Sequence, residues 1–263
     1  MTAPVLLDLT DGVATITLNR PDAMNSLDVA TKVALLETVR AVADDPEARC
    51  VVLTGTGRAF CVGQDLKEHI EILQSESSES LFRTVDEHYN PIVTTLATMA
   101  KPVIASLNGV AAGAGASLAF ACDLRIVADT AGFNLAFANV ALSCDTGASY
   151  HLQRLVGRAR AIDLLYLPRT IEAADALDLG LATQVVPADE LELTVRELAT
   201  RLAAGPTVAL GAMRRSVAYA AGHSFEEALE FESAMMQETG ATADHRAAVE
   251  AFVAKQRPVF EGR

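Results

Sequence analysis

Two glycine-rich segments hold the residues best placed to do chemistry: Cys61-Val62-Gly63-Gln64-Asp65 and Gly113-Ala114-Gly115-Ala116-Ser117. Each lies where a strand-like run gives way to a helical one. A helix start leaves backbone N–H groups unpaired and carries partial positive charge, and glycine lets a ligand approach the backbone closely. If one amide from each segment converges on a carbonyl oxygen, the pair stabilises the charge that develops when the adjacent carbon loses a proton or is attacked. Glycine loops also serve as plain structural turns, so taken singly neither segment specifies a reaction.

Fragments of other chemistries are present but misplaced. Ser117 in GASLA approximates a GxSxG nucleophile elbow, with Asp145 and His223 or His245 following in order. However, Ser117 lies ten residues past Leu107, inside a helical pattern, and Ala119 replaces the last glycine. GAGASL resembles a dinucleotide-binding turn, yet Leu118 occupies the third glycine position and no acid ends a following strand about 20 residues on. The four cysteines, at 50, 61, 122 and 144, show no CxxC and no histidine at ligand spacing, so no zinc site is expected. They read as reduced thiols of a cytoplasmic protein.

Near the start of the chain, VLLDLTDGVATITL alternates as a hairpin turning at Asp11-Gly12. Asn25 or Ser26 is expected to cap a helix beginning near Leu27, with Val29, Val33, Leu36, Val39 and Val42 on its apolar face. Cys50–Thr54 reads as a buried strand, and a helix follows from about Leu66. The unit recurs as a strand VIASL, a loop NGVAAGAG, a helix ASLAFAC and a strand DLRIVAD. From about 147 the pattern is nearly all helical, broken at Gly157, Pro168, Pro187, Gly205-Pro206 and Gly222-His223. SESSES, at 75–80, reads as a loop or a frayed helix end, in the bland reading a solvated one and otherwise a lid. The predicted class is α/β, with a core over 1–200 and a helical subdomain over 201–263.

With 263 residues, 51% of them hydrophobic, the chain can bury a full core without disulfide or metal staples. A net charge of −13 with no basic face makes nucleic acid an unsuitable partner. MTAPVLLDLTDG lacks a basic n-region, and Asp8 and Asp11 interrupt it, so no secretory signal is expected. The uncharged run 102–122 is broken by Pro102, Ser106, Asn108 and several glycines, so no membrane span is expected either.

LNRPDAMNSL, GRAFCVGQDLKE, KPVIASLNGVAAGAGASLAFACDLRIVAD and RLVGRARA resemble the enoyl-CoA hydratase/isomerase (crotonase) superfamily, and the likeness extends to the terminal FVAKQRPVF. It implies a spiral of ββα units, a C-terminal helical subdomain used in forming trimers or hexamers, and an acyl-CoA thioester bound between the two loops. Coenzyme A would belong to the substrate, and no separate cofactor is implied. The oxyanion donors would be the amides of Gln64 and Ala114. Ala23, Met24 and Leu27 would shape the coenzyme pocket, with Cys61, Gly63, Asp65, Leu66 and Gly113 around the loops. Phe252 and Lys255 would reach a neighbouring subunit's ligand, although Lys255 reads equally as a solvated helix charge.

The two glutamates used by hydratases of this family fall here on Ser117 and Phe137. Neither can handle a proton. Asp145, in ALSCDTGAS, resembles the aspartate of the isomerase branch, with Cys144 and Ala148 departing from its proline and second glycine. A single carboxylate suffices to move a double bond, and Phe137, Val140 and Leu142 are expected to raise its pKa. The plainer reading makes Asp145 a cap for the helix that follows. Double-bond isomerisation is thus the expected activity, with hydration, or acyl-CoA binding without chemistry, as alternatives.

Overall fold

The opening alternation forms strands β1 (Val5–Thr10) and β2 (Val13–Leu18), paired antiparallel with Val5 opposite Leu18. Asp11 and Gly12 make the turn at φ 50° and 77°, the mirror-image turn that suits the twist of a hairpin. This computed structural model describes residues 3–75 and 82–263. Apart from Ser75, the SESSES segment lies outside the described residues.

Helix α1 (Val29–Asp44) starts later than expected, because its cap is Asp28, whose carboxylate accepts from the Thr31 amide at 2.8 Å. Asn25 and Ser26 are spent on distant partners instead. Its buried stripe is Thr31, Lys32, Leu35, Val39 and Val42, while Val29 and Val33 are exposed, so the apolar face is rotated from the one expected.

The ββα rhythm follows. β3 (Cys50–Gly55) leads to β4 (Ala59–Cys61) and α2 (Leu66–Ser75); α3 (Asn90–Thr98) then leads to β5 (Val103–Leu107), β6 (Val110–Ala112) and α4 (Ala114–Ala121). β7 (Leu124–Ala128) and β8 (Gly132–Asn134) complete the series. In each pair the first strand joins one sheet and the second joins another. With two later strands, β9 (Thr170–Glu172) and β10 (Gln184–Val186), the larger sheet has the order β1-β2-β3-β5-β7-β10 and the smaller β4-β6-β8-β9, parallel except for the outer pairings β1 with β2 and β8 with β9. β6 lies inside the stretch expected to be all loop.

Next come α5 (Ala148–Val156), α6 (Arg158–Tyr166), β9 (Thr170–Glu172), α7 (Ala173–Asp178) and β10 (Gln184–Val186). The two three-residue strands correct the expectation of helix alone. Each adds only backbone bonds to a sheet edge formed earlier in the chain, so it leaves no periodic signal of its own. α8 (Leu191–Ala203) packs on the larger sheet, and after Gly205 come α9 (Thr207–Ala220), α10 (Phe225–Gly240) and α11 (Ala243–Ala254). The tail returns to the body: the Asp244 carboxylate accepts from the Glu261 and Gly262 amides, and Arg49 donates to the Phe260 carbonyl. Among the described residues no helix is long and apolar enough to cross a membrane.

Candidate active site

Parallel pairing of β4 with β6 sets Cys61 beside Ala111, so the loops at Gly63 and Gly113 leave the same end of one sheet. That end is where open α/β sheets place their crevices. Gly63 has φ 83°, and a methyl there would lie 2.9 Å from the Ala112 carbonyl oxygen and 3.1 Å from the Ala114 nitrogen. The loops therefore meet across that glycine. Gly113 has φ 52° and ψ −124°, a conformation for glycine, and a methyl there would meet nothing within 4 Å. This turn faces open space.

Gln64 is held extended by a bridge to Leu27: the Leu27 amide donates to the Gly63 carbonyl at 2.8 Å, and the Asp65 amide donates to the Leu27 carbonyl at 3.2 Å. Peptide groups alternate in direction along an extended chain, so the N–H of Gln64 itself points away from Leu27. Ala114 opens α4, where the first N–H groups have no intrahelical acceptor. Among the described residues neither amide has a hydrogen-bond partner.

Polar side chains fix the first loop. Arg20 donates to Asp65 at 2.9 Å and to the Ser26 carbonyl at 2.6 Å, and Ser26 donates to Asp65 at 3.0 Å. Asp65 also accepts from the Lys67 and Glu68 amides. Burial alone would raise the Asp65 pKa, but these hydrogen bonds outweigh it and hold the carboxyl below its ordinary value. Thus the Asp65 carboxylate is engaged with the scaffold and the start of α2. Asn25, fully buried, donates to the Thr56 and Ala59 carbonyls, and the Val62 amide donates to the Met24 carbonyl. Met24 and Leu27 are thereby brought against the Cys61–Asp65 segment, and Ala23 precedes Met24 in the short 3-10 turn that ends there. Leu66 begins α2 and is largely exposed.

Asp145 is half-buried, and desolvation raises its pKa against the hydrogen bonds from Thr146 and its own amide and the charge of Lys32. Its carboxylate does not cap α5, whose N-cap is Gly147 with no side-chain bond. Thr146 next to it is buried at φ 52°. A β-branched residue rarely adopts that conformation, and such strain persists where the surroundings impose it, often at functional sites. Phe137 is partly buried against the core, but Val140 and Leu142 are exposed, so they supply less of the apolar setting than expected.

Ser117 is fully buried within α4, and its hydroxyl donates to the Gly113 carbonyl at 3.1 Å, which removes the elbow-serine reading. The Cys61 thiol is sealed in the core and pushed up to about 12 by burial. Phe252, 84% exposed, and Lys255 lie at the end of α11, which packs within the chain on α10.

Sequence reasoning missed Lys32 and Tyr89, both 1% exposed. Lys32 donates to Gln64 Oε1 at 3.1 Å, and the Tyr89 hydroxyl donates to the same oxygen at 2.7 Å. Burial lowers the Lys32 pKa, opposed by the charges of Glu68, Asp28, Asp145 and Asp65. The available signal was a lysine spaced with Leu35, Val39 and Val42 on one helical stripe.

Comparison with known proteins finds relatives along almost the whole chain. The family described as Enoyl-CoA hydratase/isomerase matches residues 8–263. Over 98% of both chains, the protein is 39% identical to 1,2-epoxyphenylacetyl-CoA isomerase of Escherichia coli (strain K12). It is 32% identical to (E)-benzylidenesuccinyl-CoA hydratase of Thauera aromatica, over 98% of this chain and 99% of that one. A crystal structure of enoyl-CoA hydratase from Bacillus anthracis superimposes with a TM-score of 0.93 at 30% identity, covering 99% of this chain and 100% of the other. With both isomerases and hydratases among such relatives, the chain belongs to the enoyl-CoA hydratase/isomerase family.

Proposed function

We propose that this protein is an acyl-CoA isomerase that moves a double bond from the 3- to the 2-position of an enoyl thioester, or performs a related ring isomerisation. The thioester oxygen would accept from the Gln64 and Ala114 amides. The Asp145 carboxylate would take a proton from C2, the amides would stabilise the dienolate, and the same carboxyl would return the proton to C4. No metal or redox group enters this chemistry. What supports the reading is a desolvated acid at Asp145 whose charge reaches Lys32 and Tyr89, the side chains that hold Gln64, together with two unpaired amides at Gln64 and Ala114; by the family resemblance, Ser117 and Phe137 stand where hydratases use acids.

The decisive measurement assays 3-enoyl-CoA isomerisation and 2-enoyl-CoA hydration side by side. Asp145→Asn is expected to cut isomerisation by about 10²–10⁴-fold. Substantial hydration that survives the substitution overturns the reading. Because the acid acts as a base, wild-type kcat/KM should fall as pH drops through its pKa, and desolvation places that limb above the ordinary carboxylate range. A homotrimer, or paired trimers, suits residues 201–263, where Phe225, Met236, Phe252 and Val253 are all more than 70% exposed. The four unpaired cysteines suit a reducing cytoplasm.

A further inference from the structure

Lys32 occupies a buried helix position where an aliphatic residue would pack. Its Nζ donates to Gln64 Oε1 at 3.1 Å and to Thr84 Oγ1 at 2.8 Å, lies 5.4 Å from the centre of the Tyr89 ring and sits 3.9 Å from Glu68 Oε2. Removing an ammonium from water is costly, so these contacts are what allow it there. An ammonium carries no lone pair, which means that the carboxamide atom facing it must be oxygen. The Tyr89 hydroxyl fills the second acceptor direction of that oxygen.

With Oε1 held by two donors, Gln64 Nε2 is turned away from both. Among the described residues it has no acceptor, and it is not one of the buried unpaired atoms, so it retains contact with solvent. The carboxamide belongs to the residue whose backbone amide is one of the two unpaired donors, and the charge of Asp145 acts on the Lys32 and Tyr89 groups that hold its oxygen.

We propose that the Gln64 carboxamide, locked by Lys32 and Tyr89, is a specificity-determining donor that recognises an acceptor oxygen on the acyl group near the carbons served by Asp145. This inference rests on the function proposed above in placing the acyl group between Gln64 and Asp145. An all-hydrocarbon acyl group strips water from this NH2 and leaves it unpaired, and that asymmetry is how a polar site rejects apolar analogues. Lys32 and Tyr89 are positioning residues, acting through the orientation of the carboxamide.

The probes are phenylacetyl-CoA and 2-hydroxyphenylacetyl-CoA, neither of which has a chain double bond to move. Calorimetric titration of the wild type is expected to give about tenfold tighter binding of the hydroxylated probe. Gln64→Met should bring the ratio close to one, and Tyr89→Phe, which removes a single hydroxyl, should reduce it several-fold. Equal affinities in the wild type, or a ratio retained in Gln64→Met, overturn the inference, since a purely structural role would weaken both probes alike. Asp145→Asn should keep the preference. Preference without turnover of any thioester would sink the isomerase reading alone, whereas isomerase activity without preference would sink this one alone.

Discussion

The two loops that meet at the site are built by opposite means. The Cys61–Asp65 loop is tied down by hydrogen bonds from Arg20, Ser26, Lys32 and Tyr89, side chains drawn from distant parts of the chain. The Gly113–Ser117 loop is held by close contact: α4 is buried along its whole length, and a methyl on Gly115 would be driven into the Cys61 carbonyl. One amide is therefore fixed by charge and directional bonds, the other by sterics. Sterics tolerate almost no change, whereas a polar network can be weakened piece by piece and can present a side chain of its own.

Gly115→Ala should show the largest effect, because backbone meets backbone and neither can yield. We expect a loss of about 3 kcal/mol, or roughly 10 °C in thermal midpoint, together with low soluble yield. A variant that melts with the wild type would dissolve the distinction between the loops.

Asp65→Asn attacks the polar loop, and its cost should be about 2 kcal/mol in urea unfolding at neutral pH. Because the folded-state pKa of Asp65 is depressed, its contribution is present above the unfolded carboxylate pKa and is lost as pH falls through the folded value. Wild type and variant should thus converge in stability under acid. A constant gap at every pH would show that the charge of Asp65 is not what holds the loop.

Burial also pulls the His151 pKa down to about 4, with the charges of Arg154, Arg125 and Arg214 adding to it. Its neutral form therefore favours folding, and that contribution is lost as pH falls from about 6.5 towards 4. His151→Gln should flatten the wild-type decline over this interval, and an unchanged slope would assign the decline to other groups. Ser117→Ala should have the smallest effect, below about 1 kcal/mol, since the Gly113 carbonyl keeps the Ser117 amide as donor when the hydroxyl is gone.

Much of the architecture was legible along the chain. Asp11-Gly12 announced the first hairpin, and the runs VIASL and LRIVA announced two central strands, because turn chemistry and apolar runs are local signals. Where local rules misled, a long-range bond had won. Asn25 and Ser26 look like helix caps, but one is buried against Thr56 and Ala59 and the other is bound to Asp65, which leaves Asp28 to cap α1. Val29 and Val33 look like core residues, yet they are exposed because the helix turns Lys32 inward towards Gln64. At the candidate site, the glycine pattern marked the two loops and the family likeness marked the Gln64 and Ala114 amides and Asp145, while Tyr89 gave no signal because its role is set by a partner 25 residues earlier.

From the order of residues came the alternating units, the need for glycine at the two turns and, through the family likeness, the expectation that Ser117 and Phe137 stand where hydratases carry acids, since each depends on residue type at a position. Folding alone decided the rest. Whether two amides stay unpaired, whether Asp145 is shielded from water and which way Gln64 turns its carboxamide depend on groups that meet only when strands far apart in the chain lie side by side.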